Sequence, residues 1–392
     1  MRVAIVTETY PPEINGVALT VRNLETGLRA RGHTVDVVRP RQSDSDSAQP
    51  HETLVRGLPL PRYPVLRVGL PALSALRRTW RASRPDAIYV ATEGPLGWAA
   101  LRVARALGIP AASGLHTRFD RYMRDYGAGW LSGVALAWMR HFHNRADATL
   151  VPTRELAAFL REHGFRNVMR LPRAVNATLF DPARRDECLR AQWGLQPDTL
   201  AVIHVGRIAA EKNLDLAVRA FAAIRTTRPD ARFVWVGDGP SREALQRAHP
   251  DYIFCGSHRG EELARHFASG DLFLFPSRSE TFGNVTVEAM ASGVPTVAFD
   301  TGAAREFLRD GLHGAAVPDG DDDAFIAAAV RIASDNARRR AMGPAARAAV
   351  AHLRLEQIAL DLDTVLHGLV DAARLRTPAI NALAARGELE SP

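Results

Sequence analysis

Short, largely apolar runs alternate with longer stretches whose apolar residues recur at helical spacing. In the first half, the largely apolar runs at residues 3–6, 35–38, 87–90, 111–115 and 149–152 read as strands covered on both sides in a parallel sheet. Helical patterns over 16–31, 72–84 and 96–107 separate them. The rhythm breaks over 171–185, where Pro172, Pro182 and a charge cluster predict a linker. It restarts with runs at 200–205, 232–236, 252–255, 272–276, 294–299 and 315–318, separated by helical segments over 213–226, 242–248, 261–268 and 285–292. Such alternation builds βαβ units, so the expected fold class is α/β, with two doubly wound domains in series. The expected boundaries are 1–172 and 186–371, joined by 173–185, with a helix over about 372–392 returning to the first domain. Doubly wound sheets bind ligands outside the carboxyl ends of their strands, which predicts an active site in the cleft where the two domains face each other.

Composition narrows the function classes. With 46% hydrophobic and 24% charged residues in a chain of 392, full cores are expected and disorder is excluded. Cys188 and Cys255 are the only cysteines, too few for a disulfide framework or a structural zinc site, which predicts a reducing, cytoplasmic setting. The N-terminal run meets Glu8 before it reaches the length of a secretory leader, and no window approaches about 20 uninterrupted apolar residues. Charge is unevenly placed: residues 1–185 carry 27 arginines and 15 acids, and residues 186–392 carry 23 basic residues and 28 acids. A basic half joined to an acidic half argues against a nucleic-acid binder. The stretch 53–85 holds seven arginines and no acid, which suits either a solvated face or anionic lipid headgroups. Lys212 is the sole lysine among 50 basic residues, so its position is informative.

Three strand-to-helix turns carry candidate chemistry. After the first run, a Pro-rich loop ends at Asn15-Gly16-Val17; the Gly-x-Gly-x-x-Gly of a dinucleotide site is absent. Gly16 at a helix start would let a phosphate approach backbone amides closely. The second turn runs from Gly206-Arg207 to Glu211-Lys212. There two cations near a helix N-terminus form an anion site, with Lys212 as a compact charge and Arg207 as a planar fork. The third holds Glu280, Phe282-Gly283-Asn284-Val285 and Glu288. Helix-start amides could hold phosphate there while the two carboxylates accept sugar and ribose hydroxyls.

These strings give the chain a resemblance, over nearly its full length, to the retaining glycosyltransferases of family 4. The most specific element is Glu280-x7-Glu288 around Phe282-Gly283-Asn284, joined by Gly206-Arg207 and Glu211-Lys212; Asn15-Gly16-Val17, Arg31-Gly32-His33 and Gly114-Leu115-His116-Thr117 add weaker support. The N-terminal string through Pro59–Pro71 resembles the lipid-modifying branch, whose mannosyl- and sulfoquinovosyl-transferases act on diacylglycerol or glycolipid. The resemblance implies the GT-B arrangement of two Rossmann-like domains. It further implies hexose transfer from a nucleotide diphosphate sugar, GDP-mannose or a UDP-sugar, to an acceptor hydroxyl, with no metal and no cofactor.

Residue by residue, the resemblance makes Arg207 and Lys212 the stabilisers of the donor diphosphate. It sets Glu280 against the donor sugar, the Phe282, Gly283, Asn284 and Val285 backbone around sugar and phosphate, and Glu288 on the ribose hydroxyls. Gly16 would admit the diphosphate from the first domain, and His116 would sit near donor sugar and acceptor; taken alone, His116 also suits an ordinary satisfied polar residue at a strand end. Both glutamates are committed to binding, which favours front-side attack over a glycosyl-enzyme on a carboxylate. The linker string Arg173-Ala174-Val175-Asn176 departs from the usual Gly-Val-Asp and is expected to touch no residue assigned to chemistry.

The expected acceptor is a membrane glycolipid or diacylglycerol-type lipid, reached from the inner face of the membrane. The stripe Trp130-Leu131, Val134 and Trp138-Met139, with Arg121, Arg124, Arg140 and Arg145, fits a face on an anionic membrane and fits a core-facing helix equally well. Two other functions share the layout: a nucleotide-sugar epimerase, and transfer to a soluble or polysaccharide acceptor.

Overall fold

The computed structural model describes residues 1–13, 15–43, 46–60, 63–116, 132–278 and 280–385. The chain forms two compact units, Met1–Ala174 with Leu355–Pro392, and Val175–Arg354.

The first unit is built on a seven-stranded parallel sheet of order β3-β2-β1-β6-β7-β8-β9, with β1 Arg2–Val6, β2 Thr34–Pro40, β3 Glu52–Val55, β6 Ala87–Val90, β7 Ala111–Gly114, β8 Ala148–Val151 and β9 Val168–Arg170. β4 Gly57–Leu60 and β5 Tyr63–Gly69 form a separate antiparallel hairpin. β1, β6 and β8 are covered on both faces, as their unbroken apolar runs require. β3 and the hairpin were not expected. Prolines 59, 61 and 64 weaken the strand pattern of the hairpin, yet a two-stranded ribbon has only edges and can hold Pro there.

The long helix Leu355–Ala385 belongs to this unit, so the returning segment begins at Leu355 and not near 372. Ile358, Ala359, Leu362, Leu366 and Val370 are buried, an apolar stripe that no helix breaker interrupts at 372. A Cβ at Gly27 of helix Gly16–Ala30 would overlap Ala359, so that glycine permits the close approach of the two helices. Arg31 Nε donates to Asp363 at 2.9 Å beside this contact.

The second unit carries a six-stranded parallel sheet of order β12-β11-β10-β13-β14-β15, with β10 Ala201–Val205, β11 Arg232–Val236, β12 Ile253–Gly256, β13 Leu272–Phe275, β14 Thr296–Phe299 and β15 Gly314–Val317. Renumbered within the sheet this is the doubly wound order 3-2-1-4-5-6, whose direction of winding reverses between β10 and β13. Phe221, Phe233, Trp235 and Tyr252 fill one side of its core. Residues 175–185, expected as linker, are anchored within this unit. Phe180 lies edge-on to Phe267 at 5.8 Å, and Asp181 pairs with Arg347 at 2.5 Å.

Candidate functional site

In the second unit, the turn after β10 is shaped by glycines on two strands. Gly206 has φ +145°, and its amide donates to Val236 O at 3.0 Å. Ile208 N donates to Asp238 O at 2.9 Å, which lays the Gly237-Asp238-Gly239 turn against Gly206–Ile208. A Cβ at Gly237 would overlap the Gly206 carbonyl, and one at Gly239 the Ile208 carbonyl. In the sequence, this pair is marked only by two glycines directly after an apolar run.

Beyond the turn, Ala210–Lys212 forms one 3-10 turn, Asn213 takes the left-handed conformation at φ +54°, and helix Leu214–Thr227 begins. Lys212 is thereby held just before the helix. The turn after β13 delivers Glu280 to it: Lys212 Nζ donates to Glu280 Oε1 at 2.5 Å, and Ser277 Oγ donates to the same oxygen at 2.8 Å. Residues 68 positions apart thus meet at the point where the sheet reverses. Arg207 is exposed and pairs with Glu211 at 3.1 Å. The two expected cations are therefore each engaged by a carboxylate.

Phe282 is buried, and its carbonyl accepts from Ala303 N at 2.6 Å; a Cβ on Gly302 would stand 2.5 Å from that oxygen. Gly283, at φ +89°, is the N-cap that turns the chain into helix Asn284–Ala291. Asn284 and Val285 are half-buried at its start. Glu288, one turn further, is half-buried, and burial pushes its carboxyl up to about 7. No hydrogen bond or ion pair meets the Glu288 carboxyl among the described residues, which leaves a desolvated acceptor there without a donor from them. Beneath Lys212, His204 is buried on β10 with Nδ1 donating to Leu274 O at 3.0 Å; burial pushes it down to about 4, so the imidazole is neutral.

In the first unit, Asn15 caps helix Gly16–Ala30, its Oδ1 accepting from Val17 N at 3.0 Å and Ala18 N at 2.8 Å. Gly16 is exposed at that helix start. Asn15→Ala is expected to cost about 1 kcal/mol of stability, read as a lowered urea midpoint, because two helix amides lose their acceptor. His116 follows β7, with Nε2 at 2.7 Å from Tyr89 Oη and a buried Nδ1 that has no hydrogen-bond partner among the described residues. Burial, with Arg173 nearby, pushes His116 down to about 3, so it is uncharged across the working range. Arg173 Nη2 also donates to the His116 carbonyl at 3.2 Å. The expectation that 173–176 touches no site residue is corrected here: an arginine long enough to reach the end of β7 supports His116. Glu8, after β1, accepts from Leu96 N at 3.0 Å, and burial pushes it up to about 7. It was not singled out beforehand.

On helix Ser132–His143 the aromatic stripe divides. Met139 and Phe142 are buried, whereas Val134 is 65% and Trp138 46% exposed. Trp138 lies 5.6 Å from Trp98, and the Arg145 guanidinium sits 4.1 Å over the Trp98 ring. Thr117, Arg121, Arg124, Trp130 and Leu131 lie outside the described residues. No helix among the described residues is long and apolar enough to cross a membrane.

Comparison with known proteins adds independent findings. A family model described as Glycosyltransferase Family 4 matches residues 14–179, and one described as Glycosyl transferases group 1 matches residues 199–335. A GDP-mannose-dependent alpha-mannosyltransferase of Mycolicibacterium smegmatis is 37% identical over 361 residues, 89% of this chain and 92% of that protein. An alpha-monoglucosyldiacylglycerol synthase of Streptococcus pneumoniae is 26% identical over 329 residues, 80% of this chain and 75% of that protein. Among solved structures, a sucrose-phosphate synthase from Thermosynechococcus elongatus superposes with a TM-score of 0.78 at 23% identity, covering 95% of this chain and 99% of that one, so the two share a fold.

Proposed function

The chain belongs to glycosyltransferase family 4, and on that premise we propose that it moves a hexose from a nucleotide diphosphate sugar, GDP-mannose foremost, to a hydroxyl of a diacylglycerol-type lipid or glycolipid, with retention at the anomeric carbon. The observation that carries the proposal is the Lys212–Glu280 contact at the reversal point of the second sheet. A diphosphate arriving there would take Lys212 and Arg207 from their carboxylates. The two cations would then stabilise the charge that grows on the leaving diphosphate, without a metal or a cofactor being required for that role. Glu280, released from Lys212, would accept a donor-sugar hydroxyl. The backbone amides from Gly283 to Val285, after Phe282, would face sugar and phosphate, and Glu288 would accept from ribose.

From the first unit, exposed Gly16 would give the diphosphate room at a helix start, and His116 would serve near the sugar as a neutral hydrogen-bonding group. Glu280 and Glu288 are both committed to binding in this assignment, which supports front-side attack. GDP-mannose is favoured over UDP-sugars by the identity to the mycobacterial enzyme, and a diacylglycerol-type acceptor by the likeness to the pneumococcal synthase. Exposed Val134 and Trp138, with Arg140 and Arg145 on or beside the same helix, would rest on an anionic membrane from the cytoplasmic side. A panel of nucleotide sugars tests the donor: GDP-mannose should raise the thermal unfolding midpoint more than UDP-glucose or UDP-galactose. An equal response to all, or none to GDP-mannose, would overturn that choice.

Glu288 gives the proposal a pH signature. Its carboxyl ionises near 7, and the ionised form accepts ribose hydroxyls better, so the donor KM should fall as pH rises through about 7. Folding should respond in the opposite sense. The native acid holds its proton from about 4.5, its ordinary value, up to about 7, so the native state binds more protons there and loses stability as pH rises. Glu288→Gln should remove the KM step and raise stability above pH 7 by roughly 1–3 kcal/mol, read by urea unfolding at pH 5 and pH 8.

A further inference from the structure

The loop after β12 and the helix Gly260–Ala268 carry His258, Glu262 and His266, each four residues from the next. Glu262 and His266 therefore share one helix face, and His258 stands two residues before the helix. The two imidazole rings stack with centroids 4.1 Å apart. One ligand atom from each of the three side chains lies within 4.8 Å of the others. The geometry points to a binding site for one divalent transition-metal ion, Zn2+ foremost, held by the imidazoles of His258 and His266 and the carboxylate of Glu262.

Two features favour a metal here. His266 Nδ1 lies 2.7 Å from the Glu262 carbonyl oxygen, which can only accept, so Nδ1 carries the proton and Nε2 presents its lone pair. The ring is buried, with Trp193 at 5.7 Å, so packing holds it in place. Glu262 is also bound: Arg265 holds its Oε2 at 3.2 Å. Two imidazoles and one carboxylate suit Zn2+ with water completing the shell, whereas Ca2+ and Mg2+ prefer oxygen ligands alone. The ion would fasten the loop 257–259 to the helix that follows it. None of the three ligands is a proposed donor-site residue, so this inference stands or falls apart from the transferase proposal.

The test uses the full chain without an affinity tag, freed of metal by chelation and titrated with ZnCl2 by calorimetry and with CoCl2 by visible absorption. One equivalent should bind, and bound Co2+ should show the intense bands of a four- or five-coordinate site. His258→Gln and Glu262→Gln, both at accessible positions, should each weaken binding by at least about tenfold with unchanged far-ultraviolet circular dichroism. Absence of saturable binding by the unaltered chain would overturn the inference. So would binding that both variants keep at full affinity, since the ion would then sit elsewhere.

Discussion

Replacing Lys212 with alanine is expected to lower kcat/KM for sugar transfer by about 100- to 1000-fold, the range for removing one group that stabilises developing negative charge. The ammonium is the one compact cation in the chain, and it is fixed between the ends of β10 and β13 by Glu280, which Ser277 orients in turn. Fold stability should change little, because Lys212 is only half-buried and lies in a turn outside the cores of its unit. Lys212→Arg should recover only part of the loss, since a guanidinium is larger and its fork does not reproduce a point charge. Steady-state rates beside urea unfolding separate the two effects. Full activity in the alanine variant would contradict the diphosphate assignment.

The second large effect is expected at Gly237, through the backbone. Its φ of +146° is strained for any residue with a Cβ, and that carbon would overlap the Gly206 carbonyl. Neither strand end can give way easily, because Gly206 N bonds to Val236 O and Gly237 N to Gly256 O at 2.7 Å. Gly237→Ala should destabilise the protein by about 2–4 kcal/mol and displace the turn that carries Arg207 and Lys212, so activity falls as well. Gly368 supplies the contrast. It is exposed in helix Leu355–Ala385 with nothing near the position of a Cβ, and Gly368→Ala should stabilise by about 0.5–1 kcal/mol. Urea unfolding of both variants checks the pair, and similar midpoints would refute the packing argument.

The fold was legible where burial leaves a signature in composition. β1, β6, β10 and β13 are covered on both faces, and their runs are almost wholly apolar. β3 is four residues at the sheet edge, and the hairpin is laced with proline, so their pairing depends on neighbours that no local pattern reveals. At the candidate site, the residue types and the spacing of Glu280 and Glu288 could be read directly. The capture of Lys212 by Glu280 could not, because it joins two turns distant in sequence. Gly237 and Gly239 matter through close approach to another turn, and Arg173 through its reach to His116; both are tertiary facts. The returning helix was anticipated, but its start at Leu355 was hidden because its apolar stripe runs without a break from one unit's boundary onward.

The most direct test of the central claim is acceptor-dependent transfer. The purified chain is incubated with GDP-mannose labelled in the sugar, with and without vesicles containing diacylglycerol, and the label is followed into the lipid phase. The account predicts labelled glycolipid, with an α linkage by NMR, only when donor and vesicles are both present. Donor converted to another nucleotide sugar without any acceptor, or left intact with every nucleotide sugar supplied, would contradict it.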